Sequence, residues 1–224
     1  MNLYFIVEGR RTEMKIYAAW LSHVFPMLRL VKKPEDVTEG CFRVIAGGGY
    51  PRYLERIAEV LGEIETVVRN RVDRLFVCAD AEEVNFEDRH QEITEWIEKL
   101  SPSIRYSVIV QNCCIETWFL GNKQFLKRNP QGAKLREFKA YYDVVKLDPE
   151  NMKPKRPHKL KVLFHKNYLK AVYRERGLSY TKKNPYPATE EHYVKALVER
   201  FDQTSHIRSF GRLIDDWRAL GAEI

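Results

Sequence analysis

Four short apolar runs, each followed by a stretch with helical periodicity, constrain the fold of this chain most strongly. The runs cover residues 3–7, 41–46, 75–79 and 104–110. The runs at 3–7 and 75–79 are apolar throughout, which is typical of a strand buried on both faces of a sheet. Because such strands alternate with helices, the sequence predicts an α/β fold. Its Rossmann-like, mostly parallel four-stranded sheet should be flanked by helices.

The segments between these runs carry apolar residues three and four positions apart, which is the pattern of helices with one buried face. We expect helices at 11–27, 50–68 and 86–100, and a short apolar helix after the fourth run. A run of glycines, Gly47–Gly49, separates the second strand from its helix. It lacks the Gly-Lys-Ser/Thr ending of a phosphate-binding P-loop, so the favoured interpretation is a tight turn.

The chain changes character in its second half. The first 120 residues hold 15 lysines and arginines against 19 aspartates and glutamates, and the remainder holds the other 23 basic and 12 acidic residues. The sequence therefore predicts two parts, an α/β part at 1–121 and a basic, mainly helical extension at 122–224. Apolar spacing predicts three helices in the extension, at 159–176, 190–201 and 207–220.

Several classes of protein are disfavoured. No apolar run approaches the roughly 18–20 residues that a membrane-spanning helix needs, and the N-terminus lacks the basic region of a signal peptide. The four cysteines form no Cys-x-x-Cys pair, and we expect them to be reduced core residues of a cytoplasmic protein. These cysteines are Cys41, Cys78, Cys113 and Cys114.

Carboxylates follow two of the predicted strands. Glu8 comes directly after the first strand, and Asp80 and Glu82 come directly after the third. Because the carboxyl ends of parallel strands meet at one edge of a sheet, we expect these acids to lie close together. Asp80 and Glu82 would face the same side of an extended chain. Such a cluster predicts a Mg²⁺ or Mn²⁺ site. The ordinary alternative is a surface glutamate at Glu8 and a helix cap from the other two acids.

The basic residues of the second half predict contact with a polyanion, nucleic acid above all. A generally basic surface is the alternative. Arg10 and Arg11, beside Glu8, are candidates for holding phosphate, although they would also suit the solvated start of a helix. The candidate nucleic-acid-binding residues in the extension are Lys155, Arg156, Lys159, Lys161, Lys166 and Lys170.

Three motifs in this order resemble the Toprim domain, the catalytic module of topoisomerases, primases and OLD-family nucleases. The stretch 8–13, Glu-Gly-Arg-Arg-Thr-Glu, is similar to the EGxxTE start of the RloB-like branch of OLD-related proteins. The stretch 80–82 is an acid-x-acid motif, and 115–120, Ile-Glu-Thr-Trp-Phe-Leu, is similar to a later FE-x-W-x-L motif. The resemblance covers residues 1–121 well and extends weakly to residues 168–170 and the last predicted helix.

The resemblance implies catalytic and metal-binding roles for Glu8, Asp80 and Glu82, with Glu13 and Glu116 as secondary members of the acidic cluster. Glu82 stands where the family usually has aspartate, which puts catalysis in question. The implied activity is Mg²⁺- or Mn²⁺-dependent nuclease action on DNA or RNA, including tRNA. The implied context is a toxic effector of bacterial phage defence with a partner ABC-type ATPase, and a homodimer is left open. The alternative is a catalytically impaired subunit that binds nucleic acid or the ATPase without cleaving.

Overall fold

The computed structural model describes residues 1–69 and 71–224. Its centre is a five-stranded sheet with the strand order β2-β3-β1-β4-β5. Every neighbouring pair of strands is parallel. The strands are β1 Asn2–Val7, β2 Arg29–Leu30, β3 Cys41–Ala46, β4 Arg74–Asp80 and β5 Tyr106–Gln111.

The α/β class and the four predicted strands are confirmed, but the predicted strand number is wrong by one. The additional strand, β2, contains only Arg29 and Leu30, lies at the edge of the sheet and is exposed. Two residues cannot display the apolar run or the alternation by which a strand is recognised. The sheet is also wholly rather than mostly parallel.

Helices connect the strands and form the second half of the chain. The predicted helices are all present with shifted ends, and the one predicted at 50–68 finishes in a π-helical turn at Ile64–Val68. One further helix, α5, was not predicted. The helices are α1 Thr12–Val24, α2 Arg52–Glu63, α3 Phe86–Lys99, α4 Ile115–Phe119, α5 Ala133–Tyr141, α6 Lys161–Glu175, α7 Glu191–Thr204 and α8 Arg208–Ala219.

The two faces of the sheet bury two apolar cores. Tyr4 and Ile6 point to the face covered by α2 and α3. Phe5 points to the other face, which is covered by α1 and by the helices of the second half. There its ring stacks on Phe76 with 4.4 Å between centroids and meets Trp217 of α8 edge-on. Both parts of the chain assigned from the sequence therefore contribute to one of these cores.

The four cysteines are buried and free of disulfide bonds, as expected. Among the described residues, none of the helices combines the length and the apolar character that a membrane crossing requires.

Candidate active site

Glu8 and Asp80 lie side by side at the carboxyl edge of the sheet. Strands β1 and β4 are neighbours, and their pairing continues past the end of β1 because the Glu8 N–H donates to the Cys78 carbonyl at 3.1 Å. The side chain of Glu8 then turns towards β4, where its Oε2 accepts the backbone N–H of Asp80 at 3.0 Å. The topology thus brings together two acids that are 72 residues apart in the chain.

Asp80 has a buried carboxylate oxygen without a partner. Its Oδ1 is inaccessible to solvent and accepts no hydrogen bond from the described residues. Burial raises the pKa of Asp80 well above its usual range, and the carboxylates of Glu13, Glu8 and Glu116 raise it further. An ionised carboxylate in this position is costly unless a cation or a proton neutralises it.

Glu8 experiences the same environment. Burial raises its pKa to about 7, and the Glu82 and Glu13 carboxylates add to the effect. The N–H of Asp80 and the guanidinium of Arg89 oppose the rise. Because several acids disfavour one another's ionisation, the cluster is short of positive charge.

Glu13 reaches this cluster from the first turn of α1, across Gly9. Its carboxylate lies so close to Gly9 that a Cβ on the glycine would be 2.1 Å from Oε2. Only a residue without a side chain leaves room for this carboxylate. Glu13 is buried, and burial together with the Glu116 carboxylate raises its pKa. The four-residue spacing between Gly9 and Glu13 therefore has a packing reason.

Glu116 completes the group from α4. Its side chain is buried, and its Oε1 accepts a hydrogen bond of 2.9 Å from the Tyr180 hydroxyl. Tyr180 belongs to the second half of the chain, so the candidate site is built by both halves. The four carboxylates of this acidic cluster are those of Glu8 just after β1, Glu13 of α1, Asp80 of β4 and Glu116 of α4.

Contrary to the prediction from the sequence, Glu82 does not lie on an extended continuation of β4 beside Asp80. Its φ of 51° takes it out of the extended conformation, and its N–H donates to the Cys113 carbonyl at 2.7 Å. The chain therefore turns around the end of β5 instead of continuing straight, and Glu82 does not follow Asp80 as the next side chain on one face. Glu82 is exposed, but its carboxylate is near enough to raise the pKa of Glu8.

The helix-capping alternative for these acids is wrong. The N-cap of α3 is Asn85, whose Oδ1 accepts the Glu87 N–H at 2.8 Å. Neither Asp80 nor Glu82 serves as its cap, so the structure gives these two acids no role in starting α3.

One cation beside the acidic cluster was missed from the sequence. Lys182 lies in the loop between α6 and α7, where its carbonyl accepts the Thr12 hydroxyl at 3.2 Å. Burial lowers the pKa of Lys182, but the carboxylates of Glu116, Glu13 and Asp80 outweigh burial and raise it. Nothing in the local sequence marks this lysine among its basic neighbours, because only the folded loop brings it to the cluster.

The basic residues predicted to bind nucleic acid differ in their contacts and in their exposure to solvent. A Cβ on Gly48 would lie 3.2 Å from Nη2 of Arg10, so the Arg10 guanidinium lies against the glycine turn. Lys161 donates to Asn112 Oδ1 at 3.4 Å at the end of β5. Lys155 is already paired with Glu137. Arg11, Arg156 and Lys159 are exposed, and Lys166 and Lys170 are partly exposed on α6.

A second polar cluster is part of the core. Within residues 1–69 and 71–224, the one group of three potential ligand atoms lying within 4.8 Å of one another belongs to Cys113, Cys114 and His165. His165 Nε2 donates to the Met152 carbonyl at 2.9 Å, and Nδ1 accepts from the Thr117 hydroxyl at 2.7 Å. Burial lowers the pKa of His165 to about 4, so the ring is neutral. Both ring nitrogens are engaged, which leaves neither free for a metal.

By donor chemistry the acidic cluster fits a hard divalent cation better, although no three of its carboxylates, among the described residues, bring oxygen atoms within 4.8 Å of one another. Carboxylate oxygens are the ligands that Mg²⁺ and Mn²⁺ prefer. The unpartnered Oδ1 of Asp80 and the mutual repulsion of the acids are what a bound cation would relieve. Mg²⁺ usually keeps several waters and takes only one or two carboxylates, so a closed cage of protein ligands is not required.

Comparison of the chain with protein-family models, with curated proteins and with solved structures finds no match.

Proposed function

We propose that this protein is a Mg²⁺- or Mn²⁺-dependent nuclease that hydrolyses phosphodiester bonds of DNA or RNA. The observation that carries the proposal is the convergence of Glu8, Glu13, Asp80 and Glu116 at one edge of the sheet, where the pKa values of Glu8, Glu13 and Asp80 are raised and Asp80 has an unpartnered carboxylate oxygen. Acids that repel one another are retained at a sheet edge when they serve a cation or a reaction.

The residues divide into holders of the metal and holders of the phosphate. Glu8 and Asp80 would bind the metal, which supplies an activated water and neutralises charge on the phosphate. Glu13 and Glu116 keep the surrounding field negative, so that a cation is favoured over none. Lys182 and Arg10 flank the acidic cluster with positive charge, which suits the orientation of a phosphate.

The alternative is a subunit that binds nucleic acid or a partner ATPase without cleaving. The specific observation in its favour is Glu82, which is exposed and has left the strand geometry that an acid-x-acid pair would need. Both proposals include salt-sensitive binding, but only the first includes metal-dependent cleavage.

A cleavage assay separates the two. Single-stranded and duplex DNA, RNA and tRNA are incubated with Mg²⁺ or Mn²⁺, with and without the ABC-type ATPase that the resemblance implies as partner. We expect Glu8→Gln and Asp80→Asn to reduce cleavage by at least 100-fold, because both remove a metal ligand. Glu98→Gln, a neutralised exposed acid on α3, is the matched control. Cleavage at the wild-type rate in both variants would contradict the nuclease proposal.

A stability measurement tests the metal independently of activity. We expect Mg²⁺ to raise the Tm of the wild-type protein relative to EDTA, since a ligand that binds the folded state stabilises it. Asp80→Asn should raise the Tm in EDTA by about 2–4 °C for each ~1 kcal/mol of repulsion removed, and should abolish the shift caused by Mg²⁺. Equal Mg²⁺ shifts in both proteins would exclude Asp80 as a ligand.

A further inference from the structure

A cavity of about 190 Å³ opens one strand away from the acidic cluster. Asn112, which forms part of its wall, directly follows Gln111, and Gln111 is the partner of Asp80 in the pairing of β4 with β5. Neighbouring strands are ~4.8 Å apart, so the cavity lies beside the proposed cleavage site. Its other main walls are Phe86 at the start of α3, Glu150, and Arg208, Ser209 and Arg212 at the start of α8.

The floor of this cavity is a buried carboxylate with unused hydrogen-bonding capacity. Glu150 is 7% exposed. Its Oε1 accepts the Ser209 N–H at 3.1 Å and also the Ser209 hydroxyl, whereas Oε2 has a long contact of 3.4 Å with the same N–H. A hydrogen bond from the Asn112 side chain also opposes the rise of the Glu150 pKa that burial causes. A carboxylate oxygen can accept two hydrogen bonds, so Oε2 is left with room for a donor.

The other walls add an aromatic face and two cations. The Arg212 guanidinium lies 4.6 Å from the centroid of the Phe86 ring. Arg208 and Arg212 are exposed at the mouth, and neither takes part in an ion pair within the described part of the chain. A site for phosphate alone would not place the carboxylates of Glu150 and Glu87 on its walls, because both repel an anion.

An unstacked nucleobase is recognised by groups of this kind: a carboxylate acceptor, an amide, an arginine and an aromatic face. We propose that this cavity binds a nucleobase with adjacent N–H donors, guanine being the base that has them, from the unpaired nucleotide next to the scissile phosphate. Glu150 Oε2 accepts from the base, and Arg212 donates to its acceptor edge. This assignment rests on the proposed nuclease function for its place in the reaction, but not for the binding itself.

Mononucleotide binding tests the cavity without cleavage. GMP, AMP, CMP, UMP and inorganic phosphate are titrated by calorimetry. We expect GMP to bind at least 10-fold more tightly than the other nucleotides, since one well-formed base contact discriminates by about 1–3 kcal/mol. Glu150→Gln keeps an acceptor for Ser209 but alters the edge offered to the base, and it should remove the preference. Equal affinity for all four nucleotides, or phosphate binding as tightly as GMP, would overturn the assignment.

Arg212→Ala provides a second variant, because this side chain is exposed and forms no ion pair within the described part of the chain. It should weaken GMP at least 5-fold, whereas Arg174→Ala, the loss of an exposed arginine on α6, should leave GMP affinity unchanged. Unchanged affinity in Arg212→Ala would count against the assignment even if Glu150→Gln proved unstable.

Cleavage mapping on single-stranded oligonucleotides that differ only in the bases flanking the cut completes the test. We expect guanine to be favoured about 10-fold at one flanking position and the preference to be lost in Glu150→Gln. Guanine-selective binding without any cleavage would support the cavity and contradict the nuclease proposal. Cleavage with no base preference would support the nuclease proposal and contradict the assignment of the cavity. If GMP binds selectively but oligonucleotides show no preference for guanine, the site would be assigned to free nucleotides.

Discussion

At the scale of single residues, Gly9 controls the position of a carboxylate four residues further along the chain. A Cβ at Gly9 would lie 2.1 Å from Glu13 Oε2 and 2.4 Å from Glu13 Cδ, so the carboxylate of Glu13 must move in a Gly9→Ala variant. The backbone should tolerate alanine. We therefore expect the fold to persist and Mg²⁺ affinity to fall about 10-fold, the usual range for disturbing groups behind a metal ligand. Mg²⁺ titration by calorimetry measures this.

Gly62→Ala is the control for that variant. Gly62 lies within α2, and a Cβ there meets no atom within 4 Å. Alanine at this position should stabilise the helix by about 0.5–1 kcal/mol and leave metal affinity as it was. If Gly9→Ala bound Mg²⁺ as tightly as Gly62→Ala, the Glu13 carboxylate would have no part in the site.

At the scale of elements, the loop at 177–189 is the device that brings positive charge to the acidic cluster. Helix α1 holds this loop in place through four hydrogen bonds from its side chains, one of which His23 Nε2 donates to the Thr189 carbonyl at 3.0 Å. Besides the Thr12 bond to Lys182, Lys15 donates to the Lys183 carbonyl at 2.5 Å and Trp20 donates to the Ala188 carbonyl at 2.8 Å. Since α1 also carries Glu13, the acid and its neighbouring cation are positioned by the same helix.

We expect Lys182→Gln to have opposite effects on metal binding and on cleavage. Removing a cation that competes for the acids should raise Mg²⁺ affinity a few-fold, whereas cleavage should fall because the phosphate loses a partner. Lys183→Gln, at the exposed neighbouring position, should change neither. Mg²⁺ calorimetry and single-turnover cleavage measure the two effects. A drop in both quantities would indicate that Lys182 merely stabilises the fold.

The elements also show where sequence reasoning succeeds. Strand β3 was predicted with its observed ends, Cys41 and Ala46, because a buried apolar run is closed there by glycines. Strand β2 and helix α5 were missed. The first is too short to show a period, and the second, Ala133–Tyr141, buries only Leu135 and Phe138, so its apolar face is weak.

At the scale of the whole molecule, the sheet topology explains which site residues could be anticipated. Glu8 and Asp80 follow buried parallel strands, and the rule that such ends share an edge places them together. Glu82 could not be placed, because its turn depends on a hydrogen bond to Cys113 at the end of a different strand. Lys182 and Tyr180 could not be found either, since a loop more than 60 residues from Glu116 has no local signal of its destination.

The charge asymmetry of the chain is also organised by the fold. Helix α6 begins beside the candidate site, since the Val162 N–H donates to Glu83 Oε1 at 3.0 Å just past the end of β4. The lysines at its start therefore border the acidic edge rather than a remote surface. A nucleic-acid strand could contact this basic border while its scissile phosphate lies at the acids, a division that matches the acidic first half and basic second half of the sequence.

We expect this border to determine the salt dependence of nucleic-acid binding. Replacing Lys159 and Lys161 together by Gln should reduce the slope of log K against log salt by about 1.4 on single strands and about 1.8 on duplexes, since each contact contributes ~0.7 or ~0.9. Lys155→Gln is the control. Because Glu137 already pairs with Lys155, its loss should alter the slope by much less. Fluorescence anisotropy at several salt concentrations, in EDTA to prevent cleavage, measures the slopes. A double variant with the wild-type slope would place the nucleic acid elsewhere, whereas a reduction close to the single-strand value would agree with an unpaired substrate at the acidic edge.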